Sequence, residues 1–389
     1  MQPTGVLETS KATNPLKALL GYGQSMWLDY IRRDLLTSGQ LKTMIENDGL
    51  RGMTSNPSIF EKAIADSSLY DDILKSLASR NDLDTTARYE QIAIRDIQGA
   101  AGILCPVYES SQFKDGYVSL EVSPLLAMKT QETIDEGRRL WKTVNRENVM
   151  IKVPGTAEGL PAIRQLISEG INVNVTLLFA QEVYEKVAEA YILGLEDLAE
   201  RGGNLKKMAG VASFFISRID TLVDSMIDDK LKTADAAQQT LLKSLKGKVA
   251  IANGKLTYQR YQKIFSGPRW EALSSKGAQT QRVLWASTST KNPAYRDVMY
   301  VEELIGPDTV NTMPPATIDA FRDHGRLRNS LTEDVAGAQK VMDDLAKAGI
   351  SISEVTTKLT NDGVKLFADA FHKLLAVVEK STQTKGKTA

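Results

Sequence analysis

The sequence carries one cysteine and two histidines in 389 residues. Cys105 alone cannot form an internal disulfide, which fits a reducing compartment. With so few soft ligands, a zinc site of the usual Cys/His type is all but excluded, and no metal or other cofactor is expected. A Ser-His-Asp triad would have to use His324 or His372, both in charge-rich, helix-like stretches. Acid–base chemistry therefore falls to carboxylates, lysine or tyrosine. Charge of one sign is also missing: 48 basic residues balance 48 acidic ones. Without a basic stripe, nucleic acid is not expected as a partner. No apolar run reaches the about 18 residues that a membrane span needs. The polar stretch Met1–Asn14 lacks a charged-then-apolar leader pattern, so the expected location is the cytoplasm. No Walker loop is present, and Gly21-Tyr22-Gly23 precedes a strand instead of following one, unlike a dinucleotide turn.

What the chain does have is a rhythm. Short β-branched or apolar runs alternate with longer amphipathic stretches, the pattern of βα units around a parallel sheet. The runs predict strands over Met26–Tyr30, Leu50–Thr54, Val118–Val122, Val149–Val153, Ile171–Leu177, Gly210–Phe214, Arg282–Ala286 and Asp308–Thr312. Helices are expected over Ala157–Glu169, Gln181–Arg201, Ile219–Leu231 and Leu331–Lys347, among others. Eight parallel strands in one chain of this length favour an α/β fold of the (β/α)₈ TIM-barrel type as a single domain. The gap between the second and third strands is too long for a βα connection and implies extra helices. The Lys-, Gln- and Ser-rich stretch Thr233–Gln281 reads as helical decoration, and Val355–Glu379 as a C-terminal helix. The expected ordered core is residues 14–379, with a disordered tail over 380–389. Monomer and homodimer are both open.

Barrel strands turn alternate residues inward, and most inward positions are apolar. Polar exceptions therefore carry information. Ser119 and Glu121 share one face of the third strand, and Met150 and Lys152 one face of the fourth. Asn172, Asn174 and Thr176 alternate with apolar residues in the fifth. Asp29 lies in the first strand, Asn56 follows the second, and Ser213 ends the sixth. Active sites of such barrels form at the C-terminal strand ends, where all these residues fall. Only about one free lysine in 2,500 is neutral at pH 7, and burial that favours the neutral amine suits attack on a carbonyl.

Taken singly, these residues have structural readings of equal weight. Lys152 could be a buried partner of Glu121 or Asp29, and Asn56 before Pro57 could simply cap a helix. Asn174-Val175-Thr176 matches a glycosylation pattern, which the strand alternation and cytosolic composition disfavour. Together they favour a site, since one barrel rarely needs so many inward polar groups merely to fold. For an anion, Arg218 opens a helix after the sixth strand. Ser287 and Lys291 follow the seventh, where barrels often bind phosphate.

Several segments, in order along the chain, resemble the transaldolase family, in particular its longer bacterial form. They are Trp27-Leu28-Asp29, Gly52-Met53-Thr54-Ser55-Asn56-Pro57-Ser58, Val118-Ser119-Leu120-Glu121-Val122-Ser123, Met150-Ile151-Lys152-Val153-Pro154, Gly170 through Phe179, Ala212 through Arg218, and Trp285-Ala286-Ser287. The resemblance implies metal-free, class I chemistry on sugar phosphates. Lys152 would form an imine with sedoheptulose 7-phosphate or fructose 6-phosphate. Asp29 would take the C4 hydroxyl proton, and Glu121 would act through a water with help from Thr176. Asn56, Asn174 and Ser213 would hold the dihydroxyacetone unit. Arg218 would bind phosphate, with Ser287 and Lys291 as further ligands. Shorter family members carry a second arginine near the Ala-Ser pair; here Lys291 follows, without the bidentate fork. Two rivals stay open: an aldolase of the same superfamily, which releases dihydroxyacetone and has a tyrosine in the Glu121 role, and a non-catalytic sugar-phosphate binder.

Overall fold

The computed structural model describes residues 14–386. Its eight strands are β1 (Gln24–Asp29), β2 (Gly52–Thr54), β3 (Tyr117–Glu121), β4 (Val149–Pro154), β5 (Val173–Leu178), β6 (Gly210–Phe215), β7 (Arg282–Ala286) and β8 (Thr309–Met313). Each pairs in parallel with the next, and β8 closes onto β1. All eight expected strands are present, with ends displaced by no more than two residues. Nearly every strand residue is buried, because side chains face either the barrel interior or the helical layer.

The floor of the barrel is filled by large side chains and a closed polar cluster. Trp27 occupies the interior at the level of Gly52, where an added Cβ would lie 2.5 Å from the indole. Only glycine fits there. Arg282 donates to Ser25 Oγ (2.8 Å) and Asp115 Oδ1 (2.8 Å), and Ser25 donates to Asp115 Oδ2 (2.8 Å). Every charge in this buried cluster has a partner, so the floor is plugged and any chemistry is confined to the other end.

The helices of eight or more residues are α1 (Pro57–Ala65), α2 (Asp71–Ala78), α3 (Thr85–Ser110), α4 (Thr130–Val144), α5 (Gly159–Ser168), α6 (Gln181–Glu200), α7 (Ser217–Leu231), α8 (Ala236–Leu245), α9 (Val249–Ile264), α10 (Pro315–His324), α11 (Val335–Lys347) and α12 (Ile352–Gly386). Helices α1 to α3 occupy the long β2–β3 connection, as the spacing predicts.

Two expectations need correction. The stretch Thr233–Gln281 is helical, but α9 within it is not decoration. It packs against α6, α7 and α11 and touches β7, as a member of the ring. Its buried face includes Asn253, Lys255 and Thr257, which hid the apolar pattern. Those groups are bonded: Asn253 donates to Phe179 O (2.8 Å), Lys255 to Glu333 O (2.9 Å) and Thr257 to Asn253 O (2.8 Å). The second correction concerns the tail. Helix α12 continues to Gly386, past the expected end of order at residue 379. Thr382 is buried and its hydroxyl bonds to Val378 O (2.9 Å), extending the packed face in polar form. Residues 1–13, most of the polar stretch that predicts no leader, and 387–389 lie outside the described residues. No helix among the described residues is long and apolar enough to cross a membrane.

The start of α9 is held by a carboxyl from α7. Asp220 accepts from Ala250 N (2.7 Å) and from the Tyr300 hydroxyl (2.9 Å). Burial pushes its pKa from 3.8 up to about 7. Because the folded value exceeds the unfolded one, this group's favourable share is complete below about pH 4 and is lost as pH rises through 7. Between pH 5 and pH 8 the wild type should therefore lose roughly 2 kcal/mol more stability than Asp220→Asn. Urea unfolding of both chains at the two pH values measures this; equal losses would remove Asp220 as the cause.

Candidate active site

Lys152 stands on β4 inside the barrel with its side chain 6% exposed. Strand register sets Glu121 of β3 on one side of it and Asn174 of β5 on the other, at one level. The Lys152 Nζ donates to Ser55 O (3.1 Å) and lies 3.6 Å from Glu121 Oε2. A third neighbour comes from far along the chain: the Phe367 ring of α12, with its centroid 5.9 Å from Nζ. Neither oxygen of Glu121 makes a hydrogen bond among the described residues. Buried polar atoms normally have a partner, so this carboxyl is suited to bonding something that enters the site.

Asp29 ends β1 and is fixed by Thr54, whose hydroxyl donates to Oδ1 (2.6 Å). Thr54 in turn touches Thr312 Oγ1 of β8 at 2.8 Å. Burial holds the Asp29 carboxyl above its ordinary range, opposed first by the Lys152 charge and then by the Thr54 bond. Burial also raises Glu121, again opposed first by Lys152, while Asp29 adds to the rise. One cation thus faces two carboxyl groups, each drawn toward its protonated form.

The amide of Asn174 is oriented from both sides. It donates to Ser119 Oγ (3.0 Å) and accepts from Ser213 Oγ (2.7 Å), tying β3, β5 and β6 together across the interior. The alternation expected over the fifth strand breaks just beyond. Pairing with β6 slips between Val175 and Leu178, and Leu177 has a left-handed φ of 61°. Such a bulge re-aims the neighbouring side chains. Thr176 is fully buried there, and its hydroxyl has no partner among the described residues. Asn172 is not part of this group. It bonds Glu147 O and Val149 O and accepts from Ala209 N, fastening strand starts at the opposite end.

Asn56 does what its place before proline suggests: Oδ1 accepts from Ile59 N (3.1 Å) and caps α1. Its Nδ2 makes no hydrogen bond among the described residues and stays available. A cavity of about 370 Å³ lies here, lined by Asn56, Glu121, Tyr89, Arg139 and Phe371.

At the rim, Arg218 is the second residue of α7 and lies over the Phe215 ring at 5.2 Å. Burial lowers its pKa, and no carboxylate among the described residues opposes that. Lys291 is lowered too, by burial and then by the Arg218 charge. Its Nζ donates to Ser289 Oγ (2.8 Å). Two neighbouring cations at a helix N-terminus form a seat for an anion. Ser287 is the third member. Its hydroxyl contacts Ser217 Oγ at 2.9 Å and its carbonyl accepts from Ser217 N (3.1 Å), which locks the β6 and β7 loops together.

The structure therefore gathers Lys152, Glu121, Asp29, Asn174, Thr176 and Ser213 at one end of the barrel, with Asn56 at the edge and Arg218, Lys291 and Ser287 at the rim. Sequence reasoning missed Thr54, Thr312 and Phe367. Thr54 had a usable signal, a polar residue beside the first carboxylate strand; Phe367 had none, because its relation to Lys152 exists only in the tertiary fold.

Comparison with known proteins bears on this geometry. The family model described as Transaldolase/Fructose-6-phosphate aldolase matches residues 26–378. A transaldolase of Trichodesmium erythraeum is 50% identical over 376 residues, covering 95% of this chain and 98% of the relative. Transaldolase 2 of a Nostoc species is 50% identical over 372 residues, 95% and 97% of the two chains. A transaldolase of Frankia alni is 44% identical over 375 residues, 96% and 99%.

Proposed function

The chain belongs to the transaldolase/fructose-6-phosphate aldolase family, and from that premise we propose how its residues divide the work of a transaldolase. The reaction moves a dihydroxyacetone unit from sedoheptulose 7-phosphate to glyceraldehyde 3-phosphate, giving erythrose 4-phosphate and fructose 6-phosphate. The observation that carries the reading is the buried Lys152 amine set 3.6 Å from Glu121 and facing Asp29.

Lys152 Nζ attacks C2 of the ketose phosphate, and loss of water gives the protonated imine. Glu121 moves the protons of that step through a water, assisted by the Thr176 hydroxyl, which has no partner among the described residues. Its raised pKa brings it nearer the pH at which a carboxyl both gives and takes protons well. Asp29 then takes the C4 hydroxyl proton, the C3–C4 bond breaks, and its electrons enter the imine. The imine is the electron sink, so the chemistry calls for no metal or cofactor. The aldose phosphate leaves, an acceptor aldose arrives, and the steps run backwards.

Asn174, held by Ser119 and Ser213, keeps a fixed amide for the dihydroxyacetone hydroxyls, with Ser213 and Asn56 beside it. Arg218 and Lys291, with Ser287, receive the phosphate. The reading includes the cytoplasm as location, supported by the single free cysteine, and either a monomer or a homodimer. Glu121, standing where the aldolases of the family have a tyrosine, supports transfer over release.

Three results test this. Borohydride with fructose 6-phosphate should trap an adduct on Lys152, identified by peptide mass, and Lys152→Ala should lose it with an unchanged circular-dichroism spectrum. An adduct elsewhere, or a melted variant, would refute the assignment. Asp29→Ala should trap at a rate within about twofold of wild type yet cleave about 10²- to 10⁴-fold more slowly. Equal losses in both steps would contradict the division of labour. With erythrose 4-phosphate added, sedoheptulose 7-phosphate should accumulate; free dihydroxyacetone in its place would mark an aldolase.

A further inference from the structure

Helix α12 lies over the C-terminal end of the barrel, in contact with α1, α2 and α3 on one side and with α7 and β5 on the other. Gly363, Phe367, Phe371 and Leu374 follow at spacings of four, four and three, so they share one face of it. That face is turned to the barrel. Gly363 is pressed onto β5: an added Cβ would lie 2.8 Å from Leu177 Cδ2. Phe371 is buried and meets the Tyr89 ring edge-on at 5.9 Å. Phe367 falls between these anchors, with its ring 5.9 Å from Lys152 Nζ.

We infer that Phe367 is a positioning residue that covers the Lys152 adduct and thereby sets how much of the three-carbon unit is transferred and how much is lost to water. The inference rests on the imine reading of Lys152. After C3–C4 cleavage the unit is an enamine on Nζ, nucleophilic at its former C3. One fate is attack of that carbon on an acceptor aldehyde, which forms a new C–C bond while the aldehyde oxygen takes a proton. The other is protonation of the same carbon by water. The resulting iminium adds water at C2, the C2–N bond breaks, and free dihydroxyacetone and the amine are released. Both fates begin at one carbon, so the access of bulk water to it decides between them. The anchored ring blocks that access from the helix side, and its face also favours a cation at Nζ. Glu121 borders the cavity lined by Tyr89 of α3, Arg139 of α4 and Phe371 of α12, one turn beyond Phe367, so the water it uses for product release has a place of its own beside the covered adduct.

The test is the ratio of free dihydroxyacetone to sedoheptulose 7-phosphate formed from fructose 6-phosphate and erythrose 4-phosphate, with borohydride trapping run in parallel. Phe367→Ala should raise the ratio about tenfold while the yield of Lys152 adduct stays within about twofold; Phe367→Leu, which keeps an apolar cover, should raise it about threefold. If the alanine chain does not fold, the leucine chain carries the test. An unchanged ratio in a folded variant that still forms the adduct overturns the inference, as does a parallel fall in both products, the mark of a merely structural role. No adduct on wild-type Lys152 overturns the imine reading itself, and this inference with it.

Discussion

The Lys152 amine and the Glu121 carboxyl stand 3.6 Å apart, both side chains almost wholly withdrawn from solvent. A charge in such a place is costly unless its surroundings compensate, and here the compensation is incomplete. Glu121 has no hydrogen bond among the described residues, and burial raises both it and Asp29. A group built only for stability would have its bonds closed, as the Arg282–Asp115–Ser25 cluster at the barrel floor does. The two buried ionic clusters of one barrel thus differ in kind. The floor is satisfied and structural, whereas the mouth keeps a carboxyl and a hydroxyl without partners among the described residues.

The barrel converts strand register into chemistry. Glu121, Lys152 and Asn174 occupy one level because β3, β4 and β5 pair in parallel. The bulge at Leu177 breaks that regularity just where Thr176 must be presented. Loops after β6 and β7, bound through Ser217 and Ser287, hold Arg218 and Lys291 at the rim. A ketose phosphate has its carbonyl near one end and its phosphate at the other, which matches the division we propose between Lys152 and the Arg218–Lys291 pair.

Most of the barrel could be read from residues alone, because strands buried on both faces make short apolar runs and inward polar residues interrupt them visibly. Lys152, Glu121, Asn174 and Asp29 were legible for that reason. What escaped were the features whose signals are tertiary. Helix α9 hid its packed face behind Asn253, Lys255 and Thr257, which look like surface residues until their hydrogen bonds are seen. The far end of α12 looked like a tail because Thr382 continues a buried face with a hydroxyl. Phe367 sits more than two hundred positions from the lysine whose Nζ lies 5.9 Å from its ring, and no local pattern links them.

We propose that one buried lysine holds the three-carbon unit while Arg218 and Lys291 hold the phosphate of the same sugar. The most direct measurement is a crystal structure of the borohydride-reduced complex with fructose 6-phosphate. Density is expected to run continuously from Lys152 Nζ to C2 of the sugar, with Asn174 on its hydroxyls and the phosphate between Arg218 and Lys291. A sugar joined to another lysine, or a phosphate seated away from that pair, would contradict it.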